Sequence, residues 1–416
     1  MTYDVIIIGG GPAGMMAAGR AGELGARVLL LEKNNRLGVK LLITGNGRCN
    51  ITNNIKDYKI MAASLGKNGR FLFSALSKFG VKETVNFFEI HGTKTKVEKN
   101  NQVFPSSDRS LDVLNSLVEY LRTSKVEVGF NSSVKTLIGD DKKIKSVILE
   151  NNQKLVAKKF IICTGGKSYP VTGSTGDGYE WLKKLRHNII TPCPSLVPIA
   201  FKEKCVSSLE GLSLSDIGIN IFRDNKSIIK QRGDVVFTND GLSGPAVHEL
   251  SRLLARQPSR MLKLEIDLYP ELDFKQLEQK VLAEFKQANN KNFKNCLENF
   301  LSPKLTPVIM GLLEIDGEKK VNLIDKLERK KLIHLLKEWS FEVEGFKGYN
   351  RSMVTSGGVD LKEVDPKTMK SKLLDNLYLA GEILDLDGPT GGYNLQVCWS
   401  TGYIAGQSAA DSLTKD

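Results

Sequence analysis

The sequence predicts an α/β protein built on a buried parallel sheet, and three stretches carry that prediction. Residues 5–8, Val-Ile-Ile-Ile, are an unbroken apolar run suited to burial on both faces of such a sheet. They run straight into Gly9-Gly10-Gly11-Pro12-Ala13-Gly14. A helix-compatible stretch from Met15 to about Leu24 follows, closed by Gly25, and then a second apolar strand, Val28–Leu31, ending on Glu32. A third apolar run, residues 160–163, ends in Thr164-Gly165-Gly166 and would return the chain to the same sheet, with the glycine pair beside its ligand.

Glycines 9, 11 and 14 match G-x-G-x-x-G. The flanking strand, helix and acid make this a dinucleotide fingerprint of Rossmann type rather than a glycine-rich turn. Gly9 would make the tight turn, Gly11 would let a pyrophosphate approach the backbone, and Gly14 would let the helix pack on the strand. The helix N-terminus offers unpaired N–H groups and a partial positive charge to that pyrophosphate. Glu32 can accept hydrogen bonds from both hydroxyls of an adenosine ribose, and an acid there argues against a 2′-phosphate. The motif alone leaves FAD and NAD open.

The 416 residues allow two or three domains, and 41% hydrophobic with 25% charged content is ordinary for a globular chain. Residues 1–4 lead into the first strand without a basic region or cleavage site, so no secretory signal is expected. No apolar run approaches the ~18–20 residues of a spanning helix, and a cytoplasmic location is expected. The six cysteines (Cys49, Cys163, Cys193, Cys205, Cys296, Cys398) form no C-x-x-C pair, which excludes the usual dithiol flavoenzyme arrangement and a Cys-based zinc site. The four histidines lack i, i+4 spacing, so no metal is expected. Net charge is +12. A basic surface suits nucleic acid or anionic substrates, but the excess is lysine spread over short clusters such as Lys142-Lys143 and Lys330-Lys331, so nucleic acid is not expected as a partner.

Residues 33–53 read as a loop rich in amides and glycines at the edge where ligands of doubly wound sheets bind. Gly45 and Gly47 allow close approach around Asn46, and Arg48 can pair a phosphate or a flavin carbonyl. Residues 71–88 read as one helix, 97–104 as a hairpin, and Ser110 as the cap of a helix to about Thr123. Strand-like runs at 126–128, 134–138, 144–149 and 154–157 read as a meander. Residues 173–178 turn into a helix to about Arg186. Three prolines within 191–198 mark the exit from the nucleotide domain. Strand patterns follow at 217–222, 227–230, 233–238 and 261–268, with a short helix from Gly244-Pro245. Helical period takes over at Phe274 and runs through Leu327, Leu332, Leu335, Leu336 and Trp339.

The C-terminal part returns to nucleotide chemistry. Residues 377–382 read as a strand ending in Gly381-Glu382, and 385–394 as a loop opening a helix from Leu395 to about Leu413. A second helix N-terminus would stabilise the negative charge of a reduced flavin's pyrimidine ring. A NAD dehydrogenase has no need of it, which decides FAD over NAD.

These stretches, with "KLLITGNGRCNITN" at 40–53, "TGGKSYPVTGSTGDGY" at 164–179, "FTNDGLSGPA" at 237–246, "VTSGGV" at 354–359 and "LAGEILDLDGPTGGYNLQ" at 379–396, resemble the aminoacetone oxidase-like (BaiN-like) FAD-dependent oxidoreductases of bacteria. The resemblance covers essentially the whole chain. It implies a discontinuous, glutathione-reductase-like FAD domain over 1–193 and 346–416, an inserted β-barrel-like domain over 194–270 and a small helical cap over 271–345. It also implies non-covalent FAD in extended form. Asn239-Asp240 departs from the family, which usually has His after "FT".

The expected cofactor-binding set is Gly9, Gly11, Pro12, Ala13, Gly14, Glu32, Lys33, Lys40, Thr44, Gly45, Asn46, Gly47, Arg48, Cys49, Asn50, Val134, Thr164, Gly165, Gly166, Gly381, Glu382, Gly391, Gly392, Tyr393, Asn394 and Leu395. No catalytic residue is assigned; Tyr393, Arg48 and Lys40 are the acid–base candidates, and Cys49 reads as packing rather than as a redox thiol. The expected activity is hydride transfer between a small organic substrate and flavin N5, in a cleft between the two domains. The resemblance suggests amine oxidation or enone reduction. A NAD-linked dehydrogenase, an RNA-modifying flavoprotein and a non-catalytic flavin redox sensor are the alternatives. Only one G-x-G-x-x-G unit is present, so NAD(P)H, the candidate electron donor, would enter by the substrate's route.

Overall fold

The computed structural model describes residues 2–257 and 262–414. The chain forms two units: one runs to Ser195 and resumes at Tyr349, and the other is Leu196–Gly348.

The first unit is organised by β1 (Tyr3–Ile8), whose residues Val5, Ile6, Ile7 and Ile8 are all buried. Their burial follows from position. β1 is the middle strand of a five-stranded parallel sheet, flanked by β2 (Val28–Leu31) and by the strand Ala157–Ile162. Leu377–Leu379 and Glu127–Gly129 form the two edges. The crossover between β1 and β2 is α1 (Pro12–Glu23), with Pro at the first helical position, where its missing N–H removes no bond.

The C-terminal helix Tyr393–Asp411 lies against α1. A Cβ on Gly402 would sit 2.4 Å from Ala13 O, and one on Gly406 would sit 2.3 Å from Ala17 O. The two glycines, one turn apart, therefore let the helices touch backbone to backbone. The pairing 13 with 402 and 17 with 406 also fixes the two helices as parallel, with a defined stagger.

Several expected elements differ in detail. The 71–88 helix is two, Phe73–Lys78 and Val81–Ile90, because Phe79 leaves helical geometry and Gly80 becomes an N-cap. The Ser110 hydroxyl does not cap its helix; it donates to Leu42 O. The 126–128 run is the edge strand of the parallel sheet, leaving three strands (Val134–Gly139, Ile144–Leu149, Lys154–Leu155) in the meander. The proline-rich 191–198 stretch is largely strand. Ile189–Ser195 pairs antiparallel with Val354–Val359 across an irregularity between Ile190 and Cys193 that absorbs Pro192.

The second unit is a closed, antiparallel six-stranded barrel. Its order is Ile199–Phe201, Gly241–Ser243, Lys226–Thr238, Ser213–Arg223, Leu262–Asp267 and Trp339–Phe346. The strands expected at 227–230 and 233–238 are one continuous strand. Met261, the expected start of the next strand, lies outside the described residues. The helical stretch contains Phe274–Gln287, Phe293–Leu297, Thr306–Leu313 and Lys326–Lys337. Trp339, assigned to a helix by its spacing, instead opens the strand that closes the barrel. There it packs against Phe237 and Phe341.

Candidate functional site

A cavity of about 490 Å³ opens in the first unit at the C-terminal ends of β1, β2 and the strand Ala157–Ile162. That volume is within the ~300–1,000 Å³ of cofactor-sized sites. Gly9, Gly10, Gly11, Pro12 and Ala13 line it. Within the fingerprint the three glycines are held differently. Gly9 has φ +110°, and a Cβ there would sit 2.5 Å from Cys163 O. A Cβ on Gly14 would meet Gly9 O at 1.8 Å, so Gly14 does not face the cavity but closes the helix onto the turn. At Gly11 a Cβ would meet nothing within 4 Å. Gly11 is thus the member whose missing side chain leaves open space at the first turn of α1, which is a cradle a Cβ would fill.

Glu32 lines the cavity with its carboxylate fixed at both oxygens. Oε2 accepts from Gly10 N at 2.8 Å, and Oε1 accepts from Asn34 N and Nδ2 at 2.8 Å each. A carboxylate offers about four lone-pair directions, so one remains for a hydroxyl of a ligand. Lys33 also lines the wall, held by Thr175 Oγ1 at 2.6 Å and Asp177 Oδ2 at 2.7 Å.

Farther along the wall, Lys40 Nζ donates to Glu382 Oε2 at 2.8 Å, and the other carboxylate oxygen accepts from Thr355 N at 2.8 Å. Thr164, Gly165, Thr44 and Val134 line the cavity as well. The Thr164 hydroxyl is buried and has no hydrogen-bond partner among the described residues. Such an orphaned polar atom at a cavity wall fits a polar ligand.

The first turn of the C-terminal helix supplies Asn394 and Leu395 to the same cavity. Its first N–H groups have no intrahelical acceptors. Ala13 lies beside Gly402, so the N-terminus at Tyr393 projects beyond that of α1 by about eight residues, or ~12 Å at 1.5 Å per residue. Two positive helix ends, staggered along one cavity, fit an extended dinucleotide with its pyrophosphate at one end and a charge-bearing ring at the other.

Other expected site residues lie elsewhere. Gly45, Asn46, Gly47, Arg48, Cys49 and Asn50 are not among the lining residues. The segment 33–53 is not wholly loop. It contains a short helix, Val39–Ile43, and a tight turn with Gly45 and Asn46 in left-handed geometry. The Arg48 guanidinium is occupied by Glu98 at 2.6 Å and by Asp108, and lies over the Phe104 ring at 4.1 Å, so it offers nothing to a phosphate here. Burial pushes the Cys49 thiol up to about 12, which suits packing and not redox work. Asn50 is structural: oriented to satisfy its neighbours, its amide donates to Val103 O and Thr52 O and accepts from Gly392 N at 3.1 Å. Gly166, Gly381, Gly391, Gly392 and Tyr393 do not line the cavity either. Gly392 has φ +96°, and a Cβ there would meet Thr52 C at 2.3 Å, so it sets the helix start. Of the three acid–base candidates, only Lys40 lines the cavity.

Sequence reasoning did not pick out Asn34, Ser132, Ser133, Trp181 or Met353 at the wall. Asn34 was within reach, since it lies two residues after Glu32 and its amide holds that carboxylate. The others come from distant segments and carry no local signal.

The chain is 31% identical over 409 residues to a Clostridium scindens protein named 3-dehydro-bile acid delta(4,6)-reductase, covering 97% of this chain and 98% of the relative. It is also 31% identical over 408 residues to an Escherichia coli protein named ribosomal RNA dihydrouridine synthase, covering 97% of each. Among solved structures, the 3-ketosteroid-delta4-(5alpha)-dehydrogenase of Rhodococcus jostii RHA1 superposes with a TM-score of 0.54 at 14% identity, covering 98% of this chain and 97% of that one. Residues 3–408 match the family described as HI0933-like protein Rossmann domain, and with its staggered pair of helix ends this chain belongs to that family as an FAD-dependent oxidoreductase.

Proposed function

We propose that this chain reduces a carbon–carbon double bond conjugated to a carbonyl, with uracil rings of ribosomal RNA as the substrate class. The observation that carries the reading is the pair of staggered helix N-termini on one cavity, which suits a flavin dinucleotide. FAD bound there supplies a flavin N5 that takes up hydride and hands it on. The first turn of α1 and Gly11 would hold the pyrophosphate, Glu32 the ribose, and the Asn394–Leu395 turn the ring. Lys40 and Glu382, ion-paired at 2.8 Å on the cavity wall, would hold a proton for the reaction. NAD(P)H is the proposed donor, entering by the substrate's route because the chain holds one fingerprint.

The names of the two relatives support a common chemistry. A delta(4,6)-reductase of a 3-dehydro bile acid and a dihydrouridine synthase each saturate a double bond in conjugation with a carbonyl. The unit with the fingerprint carries 35 Lys and Arg against 25 Asp and Glu, the sign a polyanion requires. A small cyclic enone is the second reading, favoured by the bile-acid relative at equal identity.

The test is turnover of purified holoprotein with NADH or NADPH, on an unmodified ribosomal RNA transcript and on a cyclic enone, followed by mass spectrometry. A uridine gaining two hydrogens is expected. Saturated enone with unchanged RNA would transfer the assignment to the second reading, and no change in either would refute both.

A further inference from the structure

Residues 56–82 form a small helical excursion of the first unit: a helix at Tyr58–Ala63, a 3-10 stretch at Gly66–Leu72 and a helix at Phe73–Lys78, packed on one another. Its inner side is apolar and buried: Met61, Ala62, Leu65, Leu72, Ala75 and Leu76. Its outer side carries Lys56, Lys59, Lys67, Arg70, Lys78 and Lys82, all exposed. None of the six makes an ion pair among the described residues, although Lys59 lies 6.0 Å from the Tyr58 ring. The acid within the excursion, Asp57, accepts from Lys59 N at 2.7 Å as a helix cap. The next one, Glu83, caps the following helix through Gly80 N at 3.0 Å.

Some lysines elsewhere on this unit are matched, as Lys96 is by Glu98 and Asp108, and Lys158 by Asp4, whereas within residues 56–82 six cations stand against the single acid Asp57. The excursion is therefore a concentration of uncompensated positive charge. It also has a fixed position relative to the cavity. Asn68 Nδ2 donates to Asp385 O at 2.8 Å and to its Oδ2 at 3.1 Å, and Leu65 packs at Gly388. That ties the excursion to the loop leading into the Asn394–Leu395 turn.

We propose that this cationic face, over residues 56–82, docks the phosphate backbone of a folded RNA and so presents a base to the cavity. The inference rests on the RNA reading above. Charge complementarity carries it: six exposed cations without ion pairs on one small element suit a polyanion with many phosphates, whereas a small enone would engage few of them. Phosphate contacts of this kind position the substrate without reading its sequence.

The experiment measures binding of an unmodified ribosomal RNA transcript to holoprotein as a function of salt. Three proteins are compared: wild type, the variant Lys56→Gln/Lys67→Gln/Arg70→Gln/Lys78→Gln, and a control, Lys142→Gln/Lys143→Gln/Lys154→Gln, with substitutions on the distant meander. Each lost phosphate contact lowers the salt slope by ~0.7–0.9, so loss of three contacts lowers it by about 2–3 and weakens binding at least tenfold. The control is expected to keep the wild-type slope. Flavin content and the thermal unfolding midpoint are expected to stay unchanged in both variants, which shows that they fold. An unaltered slope in the first variant, or an equal drop in the control, would overturn the docking surface while leaving the RNA reading intact. Absence of wild-type RNA binding even at low salt would remove the RNA reading itself. Anionic phosphatidylserine vesicles captured in place of RNA, and lost in the first variant, would assign the face to a membrane and overturn RNA as its occupant.

Discussion

Alanine at Gly14 and alanine at Gly11 add the same methyl group three residues apart and are expected to fail in opposite ways. At Gly14 the new Cβ would stand 1.8 Å from Gly9 O and 3.3 Å from Cys163 Cβ. The carbonyl is main chain and cannot rotate away, so α1 must lift from the turn. Overpacking costs roughly 1–3 kcal/mol, and a main-chain clash belongs at the upper end. The better helix propensity of alanine returns ~1 kcal/mol, leaving a net loss of about 2 kcal/mol. At Gly11 the backbone has φ −82° and a Cβ meets nothing within 4 Å, so stability changes by less than ~1 kcal/mol. The methyl instead fills the cradle at the helix end, and FAD affinity is expected to fall at least tenfold, ~1.4 kcal/mol. Denaturant unfolding of the flavin-free proteins and fluorescence titration with FAD separate the two effects. Wild-type FAD affinity in Gly11→Ala would refute the assignment of this turn to the pyrophosphate.

Glu32→Ala removes an acceptor of three hydrogen bonds, each worth ~1.5–3 kcal/mol when the acceptor is charged; it should weaken FAD binding at least tenfold, and unchanged affinity in the titration would place the dinucleotide elsewhere. His248 is buried beside Ser243, and burial lowers it to about 4. The unfolded chain, titrating near 6.5, then binds its proton first, so the stability His248 confers is complete above ~6.5 and is lost as pH falls toward 4, by on the order of 3 kcal/mol. Denaturation of wild type and His248→Gln at pH 7 and pH 4.5 should show a steeper loss in the wild type, and parallel losses would contradict it. Cys49, fully buried and with its thiol raised to about 12, should resist alkylation in the native protein while the part-exposed Cys193 reacts; peptide mapping of alkylated sites checks this, and early labelling of Cys49 would show that its segment opens.

The sheet was readable because its strands are local apolar runs and its ligand edge is announced by glycines with fixed steric roles. Gly9, Gly11 and Gly14 could be ranked from spacing alone, and the structure adds that Gly11 alone of the three leaves open space where a Cβ would stand. The segment 45–50 does not line the cavity, because its glycines and amides serve a tight turn. There Asn50 is used on Gly392 and Arg48 on Glu98 and Asp108. Trp339 misled because it continues a helical spacing past the point where Glu338 leaves helical geometry, and the barrel recruits it as an aromatic wall. The stagger of the two helices was not legible at all, since it depends on Gly402 and Gly406 meeting Ala13 and Ala17 across the fold. The cations of residues 56–82 lie within one stretch of sequence, and the structure adds that all six are exposed while Met61, Ala62, Leu65, Leu72, Ala75 and Leu76 between them are buried.

The central claim is that this protein holds FAD and delivers its hydride to a conjugated double bond. It is tested most directly by a single turnover without any nicotinamide. Holoprotein is reduced photochemically under anaerobic conditions, then mixed with unmodified ribosomal RNA or with a cyclic enone, while the flavin absorbance is followed. The account predicts that the oxidised flavin spectrum returns in step with the appearance of one saturated product per flavin, from RNA first. A flavin that stays bleached with both acceptors, yet reoxidises promptly in oxygen, would contradict it.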